Sequence, residues 1–342
     1  MSTGRARAPV VLPTDPIDLA TELPLTEDEA AYVTAARAPN TLRGYRSDWT
    51  EFSAWCTRAR LNPLPATAAT ISGYLTELAR AGAKVGTMSR RLSAIRFAHQ
   101  LRDHRDPTTN ARVVAVWEGI RREHGAPPEQ AEPLMPPLLL DVLDACPHTR
   151  TWKTRGRAVE PDLAGLRDRA LLLVGFFAAL RRSELAALSV DQLTEHPNGL
   201  VLALPRSKTN QRGEQAELIV LPRAGHPARC PVTALRTWLD AATITTGPVL
   251  RPVSKGNRAL PRRLHPESIN DLVQAAVHRV APTATGYSAH SLRAGFVTFA
   301  HLRGATDHAI APQTRHRSLA TVGTYVRIES AWADNAATML GL

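Results

Sequence analysis

Arg181, Lys208, His290, Arg293, His316 and Tyr325 are the residues of this 342-residue chain whose types could do chemistry together. They fall in four islands. The first is Ala179-Leu180-Arg181-Arg182-Ser183-Glu184-Leu185, and the second is Lys208 within Arg206-Ser207-Lys208-Thr209. Ala289-His290-Ser291-Leu292-Arg293 is the third, and Arg315-His316-Arg317-Ser318 leads to Gly323-Thr324-Tyr325, with the tyrosine nine residues past His316. Arginine grips phosphate oxygens bidentately. His290 and Arg293, three apart on a helix, share a face and can reach the same anion. An ammonium can release a proton where a guanidinium cannot, which singles out Lys208, because Lys84, Lys153 and Lys255 are the only other lysines. A phenol with a pKa of about 10 is mostly protonated at neutral pH and needs cationic neighbours to act as a nucleophile.

These islands need elements to position them. Residues 1–25, rich in Pro, Thr and Arg, read as a flexible arm. Residues 26–125 read as a helical bundle. Asn40 is placed to cap a helix with the stripe Tyr45, Trp49, Phe52 and Cys56. A second helix carries Ile71, Tyr74, Leu75 and Leu78 and ends at Gly82. A third starts near Thr87 with Met88, Leu92, Ile95 and His99, and a fourth carries Val113, Val116, Trp117 and Ile120. Residues 126–137, with five prolines, read as a linker with little to bury. Beyond it, 138–342 mixes helices near 138–145, 162–188, 232–241, 268–280, 291–302 and over the last dozen residues with two β-rich runs, Leu200 to Leu204 and Leu218 to Leu221, that suggest a hairpin. The fold class predicted is mainly α with a small β-hairpin.

The formal charge is +11, from 42 Lys plus Arg against 31 Asp plus Glu, and favours a polyanionic partner. With 44% hydrophobic residues the chain can bury real cores, so disorder throughout is excluded. Cys56, Cys146 and Cys230 are odd in number and widely spaced, which suggests neither a disulfide framework nor a zinc ribbon and fits a reducing cytoplasm. The longest apolar run, Ala170 to Leu180, is too short to span a bilayer and reads as a buried helix. His278, His290, His301, His308 and His316 lack acidic or thiol partners at ligand spacing, so no metal is expected.

In this order the islands resemble the signature of the tyrosine recombinase (phage integrase) family: Arg, a β-hairpin Lys, His-x-x-Arg, a second His or Trp, and a Tyr nine residues later. The resemblance covers almost the whole chain and is most like Cre-type recombinases, through Ser53-Ala54-Trp55-Cys56 and Ile120-Arg121-Arg122-Glu123. It implies an N-terminal SAM-like core-binding domain, a linker and an α+β catalytic domain ending in a helix that docks on a neighbouring subunit. By the same resemblance Tyr325 attacks the phosphodiester to leave a 3′-phosphotyrosyl bond. Arg181, Arg293 and His316 hold the phosphate oxygens, His290 moves the phenol's proton, Lys208 protonates the leaving 5′-oxygen and Glu184 orients these groups. No cofactor is implied. Arg43, Arg46, Lys84, Arg90, Arg91 and Arg96 become candidates for DNA contact. The implied partners are duplex DNA with inverted-repeat sites and three further copies of the chain on synapsed DNA, from a monomer in solution. The implied setting is the cytoplasm, at the nucleoid, with no membrane. Strand exchange would pass through a Holliday junction, for integration, excision or resolution. A type IB topoisomerase-like relaxing enzyme and a catalytically silent architectural DNA binder are the alternatives. Two positions depart from the family pattern: Arg315 and Ala179 each stand where glycine is usual, and Arg315 is expected to alter the loop or add a phosphate contact.

Overall fold

The computed structural model describes residues 37–127, 130–151, 158–204 and 217–315. Lys208, His316, Tyr325, the 1–25 arm and the C-terminal helix lie outside these residues. The chain divides into two compact units between Pro128 and Glu129.

In the first unit α1 (Pro39–Ala59), α2 (Ala68–Arg80), α3 (Val85–Leu101) and α4 (Ala111–His124) form a bundle, with α1 packed on α3 and α2 on α4. The predicted stripes face its core: Trp49, Phe52, Cys56, Ile71, Leu75, Met88 and Ile95 are buried, joined by Val113 and Ile120. Thr67 and Asn110 cap α2 and α4 through their side chains. Asn40 does not cap α1. That helix starts one residue earlier, at Pro39, whose fixed φ suits a first turn, and Asn40 Oδ1 accepts from Arg43 Nη1 at 2.9 Å. The third helix begins two residues before Thr87, behind an extended Lys84.

His99, read as part of an apolar stripe, is fully buried. Its Nε2 lies 2.9 Å from the Ala66 N–H, which must donate to it. Nδ1 therefore carries the proton and donates to the Ile95 carbonyl at 2.8 Å. Burial pulls its pKa below the ordinary histidine value, partly offset by that backbone bond.

The second unit contains α5 (Leu138–Asp144), a short pair β1 (Thr149–Thr151) and β2 (Val159–Pro161), α6 (Leu163–Phe177), α7 (Arg182–Ala187), β3 (Leu193–His196), β4 (Gly199–Leu204) and β5 (Glu217–Pro222). These are followed by α8 (Pro231–Ala241), α9 (Pro266–Val280), α10 (His290–Leu302) and α11 (Asp307–Thr314). The Ala170 to Leu180 run is buried as predicted, within and just beyond α6. This helix runs through the core between α8 and α10. Even Arg169 is buried on it, donating to the carbonyls of Leu143 and Ala228. The β4–β5 pairing is antiparallel, with Leu202 opposite Ile219. Ile219 and Leu221 point inward while Leu218 and Val220 face solvent, the two-residue period of a half-buried strand.

Four further features differ from the sequence reading. The hairpin carries a third strand, β3, on the far side of β4. The β1–β2 pair and α11 were not predicted. The proline-rich stretch is not empty of core contacts either: Leu134 is fully buried, its N–H donates to the Ser291 carbonyl at 2.9 Å, and that of Glu132 donates to Gly286 at 3.0 Å. Gly295 permits this approach, since a Cβ there would fall 2.0 Å from the Leu134 carbonyl oxygen.

Cys56, Cys146 and Cys230 are free and buried, and burial pushes the first two thiols up to about 11. Among the described residues no helix is long and apolar enough to cross a membrane, and no group of three metal-ligating side chains converges.

Candidate active site

Past Phe177 the chain turns through Ala178, Ala179 and Leu180 and delivers Arg181, in extended backbone, to the start of α7. Ala179 takes left-handed backbone with φ of 46°. Glu184, one turn into α7 and buried, reaches back. Its Oε2 accepts from the Arg181 backbone N–H and its Oε1 from Arg181 Nη1, both at 2.8 Å. The same carboxylate therefore closes the helix N-terminus and orients the guanidinium.

His290 and Arg293 come from the first turn of α10 and part company in exposure. His290 is exposed. Arg293 is only 1% exposed and points inward, its Nη1 donating to the Ala179 carbonyl at 2.7 Å and its Nη2 to the Thr314 carbonyl. Both bonded carbonyls belong to turns that carry other site residues. Arg293 thereby fastens the turn before Arg181 to the end of α11.

Thr314 is followed by Arg315, which ends α11 in left-handed backbone with φ of 57°, its N–H closing on the Ala311 carbonyl at 2.7 Å. The Arg315 side chain is 5% exposed, with Nη2 at 2.5 Å from Glu184 Oε2 and Nε at 3.4 Å from Glu217 Oε2. Burial draws its pKa below the ordinary arginine value, and Glu184 works against this. Beside it Gln313 Nε2 donates to the carbonyls of Phe177 at 2.7 Å and Val220 at 2.9 Å, tying α11 to the end of α6 and to β5.

Arg181, Glu184 and Arg293 are thus brought together with His290 on the same helix as Arg293. His316 follows Arg315 directly in the chain, and Lys208 lies in residues 205–216, between β4 and β5. Sequence reasoning missed Gln313 and Glu217, because a lone Gln and a lone Glu carry no spacing signal. It did single out Ala179 and Arg315, and the backbone explains both: they are left-handed corners, where glycine has the least strain.

The candidate DNA-contact residues of the first unit divide into two groups. Arg43, Arg46 and Lys84 are exposed. Arg90 clamps both oxygens of buried Asp48 at 2.7 and 2.9 Å while remaining half exposed. Arg96 pairs with Asp106 at 2.9 Å, and it too is half exposed. Arg91 is mostly buried and donates to Tyr74 Oη at 2.7 Å and to Glu51, so it is built into the bundle.

Residues 30–104 match the phage integrase N-terminal SAM-like domain. An integrase/recombinase xerD homolog of Selenomonas ruminantium is 34% identical over 307 residues, covering 88% of this chain and 85% of the relative. A tyrosine recombinase XerD of Rhizobium meliloti (strain 1021) is 26% identical over 320 residues, 89% and 93% of the two chains. These relatives carry the XerD name rather than Cre. The crystal structure of XerH site-specific recombinase bound to palindromic difH substrate, in a post-cleavage complex, shares the fold. Its TM-score is 0.62 at 13% identity, over 92% of this chain and 84% of that one. A relative alike at a third of its positions along most of both chains, an N-terminal domain of the matching type and a shared fold place this chain in the tyrosine recombinase (phage integrase) family.

Proposed function

We propose that this chain is a site-specific recombinase that cuts and rejoins duplex DNA through a 3′-phosphotyrosyl intermediate formed by Tyr325. The observation that carries the reading is the reach of Arg293. From α10 it bonds both to the turn before Arg181 and to the last residue of α11, so islands far apart in sequence meet at one place.

The Tyr325 oxygen attacks phosphorus, forming the Tyr–O–P bond as the P–O5′ bond breaks. The phenol's proton passes to His290, and Lys208 gives a proton to the departing 5′-oxygen. Arg181, Arg293 and His316 stabilise the charge on the non-bridging oxygens, and Glu184 holds Arg181 in place. One ester replaces another, so rejoining follows by the reverse attack of a 5′-hydroxyl and needs no nucleotide. The partners are duplexes bearing inverted-repeat sites, bound at the nucleoid, with four copies assembling on two synapsed sites from monomers in solution. Arg43, Arg46 and Lys84, all exposed, and the half-exposed Arg90 and Arg96 serve as phosphate contacts.

The test is covalent trapping. Wild type and Tyr325→Phe are incubated with a library of nicked random duplexes, in which cleavage beside the nick sheds a short fragment and leaves the adduct stranded. DNA that survives denaturation on the protein is then sequenced. Enrichment of one inverted-repeat motif with wild type alone is expected. An adduct with Tyr325→Phe would overturn the assignment of Tyr325, and DNA held by both proteins only before denaturation would leave a binder in place of an enzyme.

A further inference from the structure

We infer that Arg315 is a positioning residue of the strand-cutting site, one that shares the Glu184 carboxylate with Arg181 so that the Arg181 charge acts on the scissile phosphate. The inference rests on the recombinase reading above. Nothing in the helix end calls for this side chain: the Arg315 N–H alone closes α11 on Ala311, and a left-handed corner is held with less strain by glycine. Arginine here brings both a Cβ in strained backbone and a guanidinium withdrawn from water. Its interactions lie elsewhere. Nη2 takes the Glu184 oxygen that also accepts the Arg181 backbone N–H, while Arg181 Nη1 takes the other oxygen. Nε faces Glu217 at the start of β5, the strand that follows residues 205–216 with Lys208.

The charges decide what this does. Without Arg315, Arg181 would face the Glu184 carboxylate alone, its charge offset by that group beside an incoming phosphate monoanion. With Arg315 two guanidiniums share that one carboxylate, so less of the Arg181 charge is taken up by it. A carboxylate shared between two guanidiniums also cannot fold wholly onto Arg181 and mask it. The ion pair ties the end of α11 to the Arg181 turn.

The test uses the full-length protein and the duplex recovered by covalent trapping, made in two forms. One is the ordinary phosphodiester, and the other carries a methylphosphonate at the scissile position, which removes the charge of the reacting group. Adduct formation is timed in a single turnover for wild type, Arg315→Gly, Arg315→Lys and Arg315→Met. We expect Arg315→Gly and Arg315→Met to slow the phosphodiester reaction about ten-fold, less than the ~10²- to 10³-fold loss of a direct oxyanion donor. On the uncharged duplex they should slow it less than about two-fold. Arg315→Lys, which keeps the charge, should recover most of the phosphodiester rate. The Lys and Met variants are close in bulk and differ in charge, so the comparison survives if the glycine variant fails to fold. Equal losses on both duplexes, or no loss on either, overturn the inference and leave Arg315 a purely structural cap. A wild type that forms no adduct overturns the recombinase reading, and this inference with it.

Discussion

Ala179 and Arg315 occupy left-handed backbone whose strain is carried for different reasons. Ala179 offers its carbonyl to Arg293 and has a side chain of a single methyl, fully buried. Replacing it with glycine removes the Cβ and keeps the carbonyl, so Ala179→Gly should stabilise the protein by about 0.5 to 1 kcal/mol, after allowing for the looser unfolded chain. Thermal unfolding would show it as a raised Tm, and a lowered Tm would mean that the methyl packs better than the corner strains. At this scale residue types mark Arg181, Glu184 and Arg293, which the fold brings together, while Lys208, His316 and Tyr325 lie outside the described residues. Guanidinium, imidazole, ammonium and phenol in one order are rare enough together to mark chemistry. What could not be read was which groups the arginines spend their charge on. Arg91 and Arg96 look alike as letters, yet one is packed against Tyr74 and the other half open, because Asp48, Glu51 and Asp106 come close only through the fold.

The first turns of helix α10 are held by the stretch that precedes α5, at Ser291 and Gly295, and the approach depends on the bare backbone of Gly295. Gly295→Ala would drive a methyl into the Leu134 carbonyl. The expected cost is about 1 to 3 kcal/mol, seen as a lower urea midpoint, together with slower adduct formation because Arg293 rides on the same helix. An unchanged midpoint would show that the stretch can lift away freely. In the bundle, His99 gives α3 a pH dependence. Its folded pKa lies below the unfolded value of about 6.5, so the unfolded chain binds the proton first and stability falls as pH drops through that value. His99→Gln keeps one acceptor and one donor without titrating. Between about pH 7.5 and 5 the wild type should lose more stability than the variant by urea titration; parallel curves would place the pH sensitivity elsewhere. The helices with strong stripes were readable because burial repeats each turn. β3 was not, since three of its four residues are exposed and leave no alternation, and α11 hides behind the internal Pro312. The buried Leu134 was masked by its prolines, as its burial depends on a glycine far along the chain.

The whole chain carries a formal charge of +11, so its hold on DNA should be dominated by phosphate contacts. For Tyr325→Phe, which cannot cut, Kd measured on a fixed duplex should weaken by about 10³-fold or more between 50 and 200 mM salt, as expected for six or more neutralised phosphates. A shallow slope would limit the electrostatic footprint to a few arginines. The bond from Arg293 to Ala179 spans 114 residues, and that from Arg315 to Glu184 spans 131. During synthesis, Ala179 and Glu184 leave the ribosome long before the Arg293 and Arg315 that bind them exist. A nascent chain that has emerged only through α9 lacks Arg293 and Arg315, so the Ala179 turn and Glu184 have not yet met those partners. On the proposed mechanism, the order of translation thus delays any cutting of DNA until α10 and α11 have been made.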